Sequence, residues 1–153
     1  MPGVWGVTPR QSVTSECERV GVAAVVSQCL GLLQRGDVDD AFLFVVGGPA
    51  AQPVLDGREG GPDGYWPRVW ALRALLYAWD GTAEPAVLEA TADVSWRVRE
   101  AAARVIARYQ LDNGLESLAQ LQHDPVPRVR TAAMKARRRL IEGAPSSHPQ
   151  GRR

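Results

Sequence analysis

The stretch 98-VREAAARVIARY-109 decides the fold. Apolar residues fall at Val98, Ala101, Ala102, Val105, Ile106 and Tyr109, at offsets 0, 3, 4, 7, 8 and 11. Those offsets line one face of an α-helix. The same offsets recur 31 residues later in 129-VRTAAMKARRRL-140, as Val129, Ala132, Ala133, Ala136 and Leu140. They recur again in 68-RVWALRALLYAW-79, read at a shift of 30, as Ala71, Leu72, Leu75, Leu76 and Trp79. A fixed period of this length marks a stacked helical array, in which one unit cannot bury its apolar stripe alone.

The punctuation between these stretches completes the unit. Asp80-Gly81 closes one helix and Pro85 opens a short one to about Ala92. Asp93 and Ser95 precede the long helix Trp96–Tyr109, and Asn113-Gly114 breaks the chain again. Leu115–Gln122 reads as a short helix, and Pro127–Ile141 as the last long one. The unit is therefore a short helix, a turn carrying aspartate, and a longer helix. Alanine pairs stand where neighbouring helices must approach closely, at about 8–10 Å between axes.

The pattern Asp-x-x-x-x-Val-Arg-x-x-Ala-Ala occurs twice in full, from Asp93 to Ala102 and from Asp124 to Ala133. It resembles HEAT repeats, and specifically the short bacterial kind related to phycobilin-lyase-type HEAT-like repeats. The resemblance covers about residues 48–141. It implies an all-α, right-handed α-solenoid, an armadillo-like superhelix of helix pairs, and a role in macromolecular interaction. At a shift of 30, Arg68 departs from the pattern by standing where Val98 and Val129 stand.

The rest of the chain is less regular. Residues 1–13 read as a flexible arm, and 14–47 as N-terminal divergent helices or a cap. A single helix is expected from Thr14 to Gln34, with Thr14 or Ser15 as N-cap. Asp37–Val46 and Pro49–Leu55 read as short helices, Asp56–Gly64 as a loop, and residues 142–153 as a disordered tail. On one helix, Cys17 and Cys29 stand about 120° apart and cannot bridge. The apolar run Val20–Leu33 is interrupted at Ser27, Gln28 and Cys29 and is too short to span a bilayer. A cytoplasmic protein is the expectation, and the single lysine against 17 arginines points to a GC-rich bacterial genome.

The formal charge of +1 predicts no strong whole-molecule field, but its distribution is uneven. Residues 1–64 carry four basic against eight acidic side chains, and residues 124–153 carry eight against two. Counted from Val98, Arg97, Arg104 and Arg108 fall at about 260°, 240° and 280°, along one edge of the helix. Arg128, Lys135 and Arg139 hold the same places in the next unit. Stacking sets the two rows side by side as a candidate basic binding edge. Solvated ion pairs with Glu84, Glu89, Glu100, Asp112 and Glu116 are the competing reading. Arg99 and Arg130, on the other edge, suit pairing with the turn aspartates Asp93 and Asp124 across repeats.

Trp66, Trp70, Trp79 and Trp96 cluster in the middle units. Trp79, at the Tyr109 place in the stripe, is expected in the core; Trp70, off the stripe, is the candidate aromatic binding residue. No catalytic motif, cofactor site or metal set stands out: His123 reads as a turn residue, and Gly57–Gly64 follows no strand. Trp66, Trp70 and Asp80 match a glycosylase site in residue type alone. The expectation is a non-enzymatic module that binds a protein partner, with an acidic segment of it as the candidate ligand. Nucleic-acid binding through the basic edge is the alternative, and an accessory subunit of an enzyme the third reading. No membrane association or small-molecule substrate is expected.

Overall fold

The computed structural model describes residues 6–34, 39–57 and 64–143. Among them there are helices and turns and no strand. The helices are α1 (Pro9–Val20), α2 (Val22–Leu33), α3 (Asp40–Gly47), α4 (Ala51–Leu55), α5 (Tyr65–Leu75), α6 (Glu84–Ala90), α7 (Trp96–Tyr109), α8 (Leu115–Leu121) and α9 (Pro127–Gly143). Short 3-10 turns precede α4, α6 and α8.

The N-terminal part differs from the sequence expectation. Helix begins at Pro9, inside the segment read as an arm, because Thr8 and Gln11 form a reciprocal capping box and proline occupies the first helical position. The expected single helix is two, broken at Gly21, whose φ of 93° suits glycine. Cys17 and Cys29 consequently lie on different helices, and both are free thiols. The Ser12 hydroxyl donates to the Val45 carbonyl at 2.7 Å and ties α1 to α3. Gly47 ends α3 against the Trp70 ring. Residues 144–153, most of the expected tail, lie outside the described residues, and Glu142 and Gly143 belong to α9.

The repeat is built as α5, then the pairs α6–α7 and α8–α9. The long helices α5, α7 and α9 pack in sequence, with α6 against α7 and α8 against α9. Val98, Ala102, Val105 and Ile106 of α7 are fully buried, as are Val129 and Ala133 of α9, with Val87 and Leu118 supplied by the short helices. Apolar burial of this kind, at roughly 25 cal/mol per Å² removed from water, drives the stacking.

Two ion-pair rungs fix the register between units. Arg68 gives Nε and Nη2 to the Asp93 carboxylate at 2.8 and 3.0 Å. Arg99 gives the same two groups to Asp124 at 2.7 and 3.1 Å. In both, Nη1 turns back to the chain just before its own helix, to Gly64 O at 3.1 Å and to Asp93 O at 2.8 Å. Arg130 repeats that backward bond, to Asp124 O at 2.6 Å. The expected pairing with turn aspartates is thus present for Arg99, which takes Asp124 of the following unit, while among the described residues Arg130 bonds only the Asp124 carbonyl and Asp93 is taken by Arg68, which was not expected to pair.

Arg68, Arg99 and Arg130 are equivalent residues at a constant spacing of 31, which corrects the shift of 30 used for the first unit. In the corrected register Trp70 takes the place of Ala101 and Ala132, and Ala78 that of Tyr109 and Leu140. Trp79 is half-buried and stacks on Tyr109 with centroids 4.3 Å apart. The Tyr109 hydroxyl donates to Leu75 O at 2.5 Å, and burial raises its pKa.

Candidate functional site

The basic edge is distributed over the α7–α9 face in three parts. Arg104 of α7 and Arg128, Lys135 and Arg139 of α9 surround a groove of about 410 Å³ between the two helices. The rest of its lining is Ala107, Ala132 and Ala136, which are partly or fully buried, with Glu100 and the exposed Pro127 and Thr131. The small side chains that let the helices pack closely therefore also leave a shallow apolar trough under a cationic rim. All four rim residues are exposed. Among the described residues, Lys135 and Arg139 have no ion-pair partner.

Arg97 lies in an adjoining groove of about 220 Å³, which shares Glu100, Arg104 and Arg128 with the first. Its guanidinium sits 4.5 Å from the Trp96 ring centre, 5.2 Å from Tyr65 and 5.6 Å from Trp66. Arg128 covers Trp96 as well, at 5.4 Å. Such cation–π contacts contribute about 0.5–1 kcal/mol each at exposed sites and hold the cations against the surface. Arg108 is the outlier. It lines a separate groove of about 550 Å³ with Arg10, Tyr77, Trp79 and Tyr109.

Glu100 is the residue that pattern reading undervalued. It is 8 % exposed and stands between the rows. Arg104 Nη2 donates to it at 2.6 Å, and Arg128 Nη2 approaches at 3.5 Å. Glu84, another acid weighed for such pairing, instead accepts from Asn113 at 2.9 Å. The signal for Glu100 was its place four residues before Arg104, the favourable helical order of acid before base.

In the corrected register Arg73 is the first unit's equivalent of Arg104 and Lys135. It is only partly exposed and donates to Val46 O of α3 at 2.6 Å, and burial lowers its pKa. α3 thus closes this edge in the first unit. Trp70 is a correction. It is 5 % exposed, stacked on Trp66 at 6.2 Å and pressed against Gly47, so its ring is a core element. It faces inward because the 31-residue register puts it on the apolar stripe. Asp80 caps a turn by accepting from Thr82 N at 3.0 Å. His123 is an exposed turn residue. Among the described residues, no group of three His, Cys, Asp or Glu side chains could hold a metal ion, and no helix is long and apolar enough to cross a membrane.

The family model for HEAT repeats matches residues 52–137, from α4 into α9. The chain belongs to the HEAT repeat family. No curated protein and no solved structure matches it. HEAT repeats generally mediate protein–protein interaction or scaffolding, and the family is typically non-enzymatic. The matched region contains both rungs and the groove cations Arg104, Arg128 and Lys135, and it ends two residues before Arg139.

Proposed function

We propose that this HEAT repeat chain is a non-enzymatic scaffold whose α7–α9 groove holds an acidic segment of a protein partner. The observation that carries this reading is the contrast between two sets of cations recurring every 31 residues. Arg68 and Arg99 are committed to rungs that hold the array together. Arg104, Arg128, Lys135 and Arg139 stand exposed around a trough lined by alanines, and among the described residues Glu100 is the one carboxylate lining it. Carboxylates over such a rim gain charge-assisted hydrogen bonds, and the trough takes an apolar side chain between them. The repeated Asp-x-x-x-x-Val-Arg-x-x-Ala-Ala pattern is what supports the phycobilin-lyase-like branch of the family and, with it, a right-handed superhelix, and the single lysine against 17 arginines accords with a bacterial origin. A cytoplasmic location accords with the same reading.

Arg104→Glu with Lys135→Glu is the test. Both side chains are exposed; because Arg104→Glu also sets a second carboxylate beside Glu100, circular dichroism must show the helices kept. The reading expects a defined partner, recovered with the parent chain, to be lost with the reversed one. Retention of that partner by the reversed chain contradicts the groove as its site. Retardation of nucleic acid at low salt, falling steeply as salt rises, would assign the same cations to phosphates instead.

A further inference from the structure

The groove of about 550 Å³ that holds Arg108 brings together α1, the chain just after α5 and the end of α7. Arg10 and Thr14, one turn apart on α1, line it together with Tyr77, Trp79, Arg108 and Tyr109. Both arginines are exposed, and among the described residues neither has a carboxylate partner. No acid stands among the groove's described lining. Arg19, the other described arginine before α5, is by contrast paired with Glu16. Arg10 also stands in the first turn of α1, where the helix dipole disfavours a cation. Helix stability therefore gives no account of it. The aromatic side is as unusual. In the 31-residue register Tyr77 is the first unit's equivalent of Arg108 and Arg139, and it is 40 % exposed. Trp79 is held by its stack on Tyr109, and Tyr109 by its hydroxyl bond to Leu75 O. The rings are thus fixed in place beside two cations that have no acid to neutralise them.

The geometry points to this groove as a binding site for a free mononucleotide, its phosphate between Arg10 and Arg108 and its base beside the Tyr77 and Trp79 rings. A phosphate has oxygens enough for two guanidinium forks, whereas one fork already satisfies a carboxylate. The Thr14 and Tyr77 hydroxyls add donors that suit the same anion. A base is planar and stacks on aromatic side chains. The volume falls within the range of small-ligand pockets, about 300–1,000 Å³. The two cations come from separate helices and meet in one groove, whereas a strand needs cations that follow its backbone; a single nucleotide is therefore favoured over a polymer. This groove shares no lining residue with the α7–α9 groove and does not depend on the function proposed for it.

The probes are the monophosphates of adenosine, guanosine, cytidine and uridine, titrated calorimetrically into the whole chain at low salt. The matching nucleosides and inorganic phosphate are the controls. At least one nucleotide is expected to bind saturably, with its nucleoside and inorganic phosphate each weaker by roughly tenfold or more. Arg10→Gln and Arg108→Gln should each weaken that nucleotide by about tenfold, the loss of a charge-assisted hydrogen bond. Arg10→Gln should do so with an unchanged or raised urea midpoint, which a structural role for Arg10 would not give. Arg104→Glu with Lys135→Glu should leave nucleotide binding unchanged, which separates this site from the α7–α9 groove. No saturable binding of any nucleotide by about 1 mM, or binding that survives both arginine substitutions, overturns the proposal. Inorganic phosphate bound as tightly as the nucleotide also overturns it, because the rings then contribute nothing. So does a single-stranded oligonucleotide that binds through Arg10 and Arg108 more tightly than any mononucleotide, because the occupant is then a strand.

Discussion

Replacing Asp124 with alanine removes the second rung, and the structure sets what that costs. The carboxylate accepts two N–H groups of Arg99, at 2.7 and 3.1 Å, and the Val126 amide at 2.9 Å. Its side chain is 5 % exposed and that of Arg99 15 %. Removing one partner from a buried ion pair costs about 3–5 kcal/mol. Water reaches the edge of the Arg99 guanidinium, so the low end applies, about 3 kcal/mol. For a chain of this size that lowers Tm by roughly 6–12 °C. Arg99→Ala is expected to cost about the same, and the double variant little more than either. Arg130→Ala, at the equivalent sequence position, loses one charge-assisted bond to a carbonyl and a through-space attraction to Asp124, and should cost less, about 1.5 kcal/mol. The assay is urea unfolding followed by tryptophan fluorescence, with amide exchange to locate the opening in α8 and α9. Equal costs for Arg99→Ala and Arg130→Ala, or additive costs for the Arg99 and Asp124 variants, would refute the assignment of the rungs.

Other consequences are as direct. Gly47→Ala places a Cβ 2.5 Å from the Trp70 ring, which is itself buried against Trp66; a loss of about 2–3 kcal/mol is expected from overpacking, and unchanged stability would contradict the placement of Trp70. Glu100→Gln removes the carboxylate facing Arg104 and Arg128 and should raise affinity for an acidic partner by about 2–5-fold; a titration showing weaker binding would mean that Glu100 serves to present those cations. Burial raises the Asp124 pKa, but the Arg99 hydrogen bond, the Val126 amide and the charges of Arg99 and Arg130 together bring it below the usual carboxylate value. Its contribution is therefore complete above an unfolded pKa of about 3.9 and lost as pH falls through the lower folded value. Arg99→Ala should flatten that acid limb in urea midpoints measured below about pH 5. Burial pushes the Cys29 thiol up to about 12, so at pH 8 a thiol reagent should modify Cys17 first and reach Cys29 only through unfolding; equal rates in the folded chain, read by mass spectrometry, would contradict its burial.

The long helices α7 and α9 were legible because their apolar residues keep one face over three turns and aspartate turns precede them. The register of α5 was less so. Its run of Ala71, Leu72, Ala74, Leu75 and Leu76 satisfies a helical stripe at a shift of either 30 or 31. Only the rung resolves it, and the 25-residue interval from Arg68 to Asp93, the same as from Arg99 to Asp124, was present to be read. The break at Gly21 carried no such mark, since one glycine inside an apolar helical run is usually tolerated. Thr8-Pro9-Arg10-Gln11, by contrast, is a readable helix start. At the groove, the recurrence of cations was visible and its limits were not. That α3 covers Arg73, and that Glu100 lies between Arg104 and Arg128, are consequences of packing between distant segments.

Lys135 is the only lysine in the chain and stands on the rim of the α7–α9 groove. An amine-reactive reagent therefore reports on that rim through a single side chain, apart from the chain's own terminus. The rate of Lys135 labelling, measured with and without a bound protein partner, tests the groove most directly. The account predicts strong protection of Lys135 on binding, and loss of binding once Lys135 is acylated. An unchanged labelling rate in a saturated complex would contradict it.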